Sequence, residues 1–144
     1  MKGLVSLVRL HRWRVEEKRH HLLGLEMLLA DLNRRADDLE REVRVEQLTA
    51  ARSREAGFLY GNYARRVIAR REKLAVSRTE LVGQIDQARQ AVGEALQEAR
   101  RYEIVLERAE EEERVELARR EQVVQDEVAS NMHRRQRAKQ AARS

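Results

Sequence analysis

Four histidines and a run of glutamates are the side chains in this chain best suited to chemistry. His11, His20, His21 and His133 offer imidazoles for a metal ion or a proton transfer. His20 and His21 are adjacent, so on a helix they project about 100° apart and do not chelate one ion together. Glu110, Glu111, Glu112 and Glu113 set four carboxylates in a row. Carboxylates in a solvated helical run keep ordinary acidity, so the row offers no tuned acid or base. Cysteine is absent, which removes thiol nucleophiles, CxxC redox centres, Cys-type zinc sites and disulfides. The phosphate-cradling pattern GxxxxGK[ST] is missing, and no Ser-His-Asp set can be picked. The expectation is a non-enzymatic protein with no catalytic residue, no metal site and no cofactor.

Whatever these side chains do, long helices must position them. The chain has 144 residues, no proline, 38% charged residues and 3% aromatics. Without proline no position is forced to end a helix. Few aromatic and few β-branched residues argue against a sheet. High charge with little apolar content would leave a chain disordered unless its apolar residues fall in a stripe. No run approaches the roughly 18 consecutive apolar residues of a transmembrane helix. The start, Met1 to Arg9, is cut short as a signal-peptide core by Arg9, His11, Arg12 and Arg14. The expected location is the cytosol.

The apolar residues do fall in a stripe. Stepping alternately by four and three from Leu4 gives Val8, His11, Val15, Lys18, Leu22, Leu25, Leu29, Leu32, Ala36, Leu39, Val43, Glu46 and Ala50. Only His11, Lys18 and Glu46 among these are not apolar. A second seam runs Leu74, Arg78, Leu81, Ile85, Ala88, Val92, Ala95, Ala99, Tyr102, Leu106 and Ala109, with Arg78 the exception. A 3-4 alternation held this long is a coiled-coil seam, since 3.5 residues per turn keep one edge on the partner. Leu117, Val124, Val128 and Met132 are expected to continue it after an eight-residue step, which relaxes the supercoil.

Between the seams, Ser53 to Tyr63 holds Gly57, Gly61, Asn62 and Ser53, the residue types of turns. The expectation is an all-α chain: one coiled-coil domain over 1–144, with two long helices in an antiparallel hairpin. Its parts are a helix over 4–54, a turn at 55–61, a helix over 60–132 and a basic tail over 133–144. The second helix, being longer, is expected to overhang.

Charge is divided along the chain. Residues 102–130 carry four basic and ten acidic side chains; residues 131–144 carry five basic and no acidic ones. Basic stretches lie at Arg9 to His21 and at Arg134 to Arg143, and a hairpin puts both at its open end. They read either as solvated helix faces or as a docking surface for an acidic partner. Nothing supplies base readout, and the acidic block repels phosphate, so no nucleic acid is expected. A membrane-surface reading rests on Leu4, Leu7, Val8, Leu10 and Trp13 beside arginines; the seam accounts for the apolar positions better. Phe58, Tyr60 and Tyr63 gather at the expected turn. They form either a clasp closing the tip or an exposed patch for a partner.

Several segments together resemble the FliJ family of flagellar type III export proteins, related to the YscO-type proteins of virulence secretion. They are Ser6-Leu7-Val8-Arg9-Leu10, Val15-Glu16-Glu17-Lys18-Arg19, Leu25-Glu26-Met27-Leu28-Leu29-Ala30-Asp31, and Phe58-Leu59-Tyr60-Gly61-Asn62-Tyr63-Ala64. The resemblance covers nearly the whole chain. It implies an antiparallel hairpin like the central stalk of rotary ATPases, seated in the hexameric export ATPase. Further implied partners are the export gate membrane protein and export chaperones. The implied place is the cytoplasmic face of the inner membrane at the flagellar base, reached through those partners. Arg9, Arg12 and Arg14 match the ring-contacting end; Phe58, Tyr60, Tyr63 and Val67 match the end associated with the gate. The alternative from the residues alone is a generic coiled-coil adaptor.

Overall fold

With no proline to interrupt them, two helices take up nearly the whole chain. The computed structural model describes residues 1–143. Helix α1 spans Lys2–Ala50, 49 residues, and α2 spans Arg54–Arg143, 90 residues. The turn between them is three residues, Ala51 to Ser53. By contacts the chain falls into two compact units: Met1–Leu10 with Ala99 onward, and His11–Glu98.

The turn does not lie at 55–61, where the glycines sit. No described glycine has a positive φ, so neither Gly57 nor Gly61 supplies turn geometry; both continue α2. The signal that sets the start is Ser53. Its Oγ accepts a hydrogen bond from the Ala56 N–H at 3.1 Å, the N-cap arrangement that satisfies an otherwise orphan donor. The Gly57 N–H then donates to the Ser53 carbonyl at 3.1 Å, the first intrahelical bond. On the other side, the Arg52 N–H donates to the Thr49 carbonyl at 3.1 Å, tightening the last turn of α1. Ser53→Ala is expected to lower the unfolding free energy by about 1 kcal/mol, read by urea denaturation. An unchanged midpoint would mean that the cap is not what starts α2.

In the unit His11–Glu98 the helices pack antiparallel. Glu40 accepts a two-pronged hydrogen bond from Arg71, at 2.7 and 2.8 Å. Glu42 pairs with Arg70 at 3.6 Å and Glu26 with Arg89 at 3.7 Å. These exposed pairs fix register more than they add stability. Arg71 holds the Glu40 carboxyl below its usual range, first through that hydrogen bond.

The expected seams account for every buried residue but Val67. Every first-seam position is buried or half-buried except Lys18 and Glu46, and every second-seam position except Arg78. Leu25, Leu81, Ile85 and Ala88 form one core cluster, with Leu22, Leu29 and Leu32 against it. Leu39, Val43 and Val67 form the other, flanked by Tyr63 and Leu74. The second seam therefore begins well before Leu74, reaching back through Val67 and Tyr63 towards the turn.

In the unit Met1–Leu10 with Ala99 onward, Val8 and Ala99 are buried, and Leu4, Val5, Tyr102, Leu106 and Ala109 are half-buried. There the seam stops. From Glu110 to Arg143 every residue is exposed, so Leu117, Val124, Val128 and Met132 do not extend it. They keep the spacing but have no α1 left to meet. The segment 133–143 is not a tail but part of α2. Local pairs support this partnerless helix: Arg114 with Glu111, Arg120 with Glu116 at 3.4 Å, and Gln122 with Asp126 at 3.0 Å.

Candidate functional site

Four residues at the turn end were expected to form one contact surface, and the structure separates them. On α2, Tyr60, Tyr63 and Val67 follow three- and four-residue steps and share the face turned to α1. Val67 is 4% exposed and belongs to the core, so it cannot touch a partner in the folded hairpin. The Tyr60 and Tyr63 rings stack tilted, centroids 5.8 Å apart, and both residues are half-buried. Tyr63 packs against the cluster of Leu39, Val43 and Val67 and so helps hold α2 to α1. Phe58 is 86% exposed. Five residues before Tyr63, it lies roughly 140° around the helix from it. One turn beyond Phe58 comes Gly61, around whose Cα there is open space, so the flank of the phenyl ring is uncovered. Of the four, Phe58 is the one most open to solvent.

Leu59, next to it, is 68% exposed and was not among the expected contacts. It lines a shallow groove with Glu46, Thr49, Tyr60, Tyr63 and Arg66. An apolar residue four before a clasp tyrosine was the available sign.

The Tyr63 hydroxyl is shielded from solvent and finds no hydrogen-bond partner among the described residues. Burial raises its pKa, and the charges of Glu42 and Glu46 raise it further. Glu42 is near enough to act on it, but not in hydrogen-bonding geometry. The neutral phenol is thus the form the fold favours. Its contribution is fully present below the unfolded pKa near 10 and is lost as pH rises through the folded value. Tyr63→Phe deletes the unpaired polar group and keeps the ring. The variant is expected to be at least as stable as the parent at pH 7 and to lose less stability between pH 9 and 11. Equal alkaline losses in urea titrations would contradict the assignment.

At the other end Arg9, Arg12 and Arg14 are all exposed. Arg9 belongs to the unit with the α2 extension, Arg12 and Arg14 to the other. Arg12 and Arg14 project about 200° apart on α1, so they do not form one patch. Arg134 lies 25 residues past Ala109, the last half-buried residue of α2, or about 40 Å of helix. Trp13 is exposed, as are Leu7 and Leu10, while Val8 is in the core.

His11 is buried on the seam; His20, His21 and His133 are exposed. No group of three or more acidic or histidine side chains able to hold a metal ion occurs among the described residues. No helix is long and apolar enough to cross a membrane. Compared with known proteins, the chain matches no family model, no curated protein and no solved structure.

Proposed function

We propose that this chain is a non-enzymatic coiled-coil component of a flagellar-type protein export apparatus. In this reading it is the stalk of the export ATPase ring, couples that ring to the export gate and assists export chaperones. The observation that carries it is the contrast, within the antiparallel unit His11–Glu98, between its turn end and its opposite end. The turn end presents the exposed Phe58; the opposite end presents the exposed Arg12 and Arg14. A hairpin with chemically different ends suits a part that touches two bodies at once. The resemblance of several segments to the FliJ family supports taking those two bodies as the ATPase ring and the export gate. The reading places the chain at the cytoplasmic face of the inner membrane, held there by its partners, with no nucleic acid and no cofactor involved.

Because the chain has no nucleotide-cradling loop, its effect on hydrolysis would come through the ring. Purified protein is expected to stimulate a flagellar-type export ATPase. Changing Arg9, Arg12 and Arg14 together to glutamate is expected to abolish that stimulation while leaving helicity and melting unchanged, since all three are exposed. Stimulation that survives the triple change removes these arginines from the contact. No stimulation by the unaltered chain leaves the generic adaptor as the better reading.

A further inference from the structure

The α2 extension is a helix with an apolar stripe and nothing on it. Leu117, Val124, Val128 and Met132 are 52%, 58%, 52% and 60% exposed. At 100° per residue they fall within about 80° of one another, the width a two-helix seam uses, on a face they share with Glu121 and Arg135. Nothing else in the described chain covers them, because every residue from Glu110 to Arg143 is exposed. The charges around the stripe are arranged by position. Residues 110–127 carry eight acidic and three basic side chains; residues 128–143 carry five basic and no acidic ones. The first half is net −5 and the second net +5, so the segment is neutral overall and complementary to its own reverse.

We propose that the extension 110–143 is a self-association surface, pairing antiparallel with the same segment of a second copy. This inference is independent of the export reading. A parallel pair would set acid on acid and base on base; the antiparallel pair sets each half against its opposite. That arrangement is an isologous two-fold contact, which closes at two copies. Centred near Val124 and Gln125, it brings Leu117 of one copy to Met132 of the other. Glu110 then faces Lys139 and Glu112 faces Arg137, while Arg114 faces Arg135, one like-charge pair among the opposed ones. The overlap is roughly 30 residues, a little over four heptads, or about 45 Å of helix. With valine rather than leucine at its centre and only four large apolar residues per copy, the pair is a weak and reversible one. An outside partner would have to match a stripe and a charge reversal that a second copy already matches.

Sedimentation of the full chain from micromolar to millimolar concentration tests this. The unaltered protein is expected to pass from monomer to dimer, and added salt to weaken the dimer. Val124→Glu with Val128→Glu is expected to raise the dissociation constant more than about tenfold while leaving the hairpin's melting unchanged, because both positions are exposed. Two charge variants give the sharper result. One changes Glu110, Glu111, Glu112 and Glu113 to lysine; the other changes Arg134, Arg135, Arg137 and Lys139 to glutamate. Each alone is expected to be monomeric, and an equal mixture to associate again. Orientation is read by cross-linking, since the chain has no cysteine of its own. Gln125→Cys is expected to couple to its copy through a short bis-maleimide, and Lys139→Cys not to couple. A monomer at all concentrations overturns the proposal. So does a dimer indifferent to these changes, or coupling at 139 in place of 125.

Discussion

Leu39→Ala is expected to lower the stability of the hairpin by about 2–4 kcal/mol, the cost of a leucine removed from a core that cannot collapse around the gap. Leu39 is 2% exposed and sits in the cluster with Val43 and Val67. Among the described residues this core is one seam between two helices, with no third element to move in. A loss of that size is a large share of what a domain of this length has to spare. Leu117→Ala removes the same atoms from an exposed site and is expected to change stability by less than about 0.5 kcal/mol. The pair is measured by thermal melting followed at the helical dichroism band, at a concentration where the chain is monomeric. Equal effects from the two would mean that the extension is packed in solution against something within the chain, or that the Leu39 cluster is not a core.

Phe58→Ala is expected to cost about 2 kcal/mol or more in affinity for an export gate protein, near 30-fold, with no change in melting. The reasoning is that of an anchor. A flat aromatic with 86% of its surface in water brings much apolar area to an interface and gives up nothing in the fold. Val67→Ala makes the control, because it also weakens binding if the tip must be folded, but only by way of a lower melting temperature. Binding is read by calorimetry or surface capture at a temperature where both variants are folded. Retention of full affinity by Phe58→Ala would take the tip out of the gate contact and leave Tyr60 and Tyr63 as a purely structural clasp.

Most of the fold was legible because a seam is a counting rule. The 3-4 steps from Leu4 to Ala50 and from Leu74 to Ala109 name every buried residue but Val67, and of the polar exceptions Lys18, Glu46 and Arg78 are left in water while His11 is buried. The turn was misplaced for a physical reason. Gly57 and Gly61 are weak helix formers, but a cost of about 1 kcal/mol each is absorbed when the flanking seam is paired. The start of α2 is decided by Ser53, whose hydroxyl closes the first turn. The overhang of the longer second helix was expected, but where the seam ends was obscured, because Leu117 to Met132 keep the apolar spacing of the paired positions before them. Whether they are covered depends on the 49 residues of α1, not on their own spacing. The candidate site was half legible. The gathering of rings near the turn was plain, but not their division, because Phe58 and Tyr63 differ by a helical angle that composition does not carry. For the arginines near the start, exposure followed from charge, whereas a common face did not.

The core of the unit His11–Glu98 comes in two separate clusters, and the seam positions between them are a small and a charged side chain, Ala36 and Arg78. Such a ladder has little to make it open all at once. The rungs nearest the three-residue turn join residues close in sequence and form first, at low entropic cost. The outer cluster of Leu25, Leu81, Ile85 and Ala88 must bridge far longer stretches of chain. Its amide protons should therefore exchange with solvent sooner than those around Leu39 and Val43, by partial opening that leaves the turn end shut. The molecule would then be stiffest beside Ser53 and yield progressively away from it.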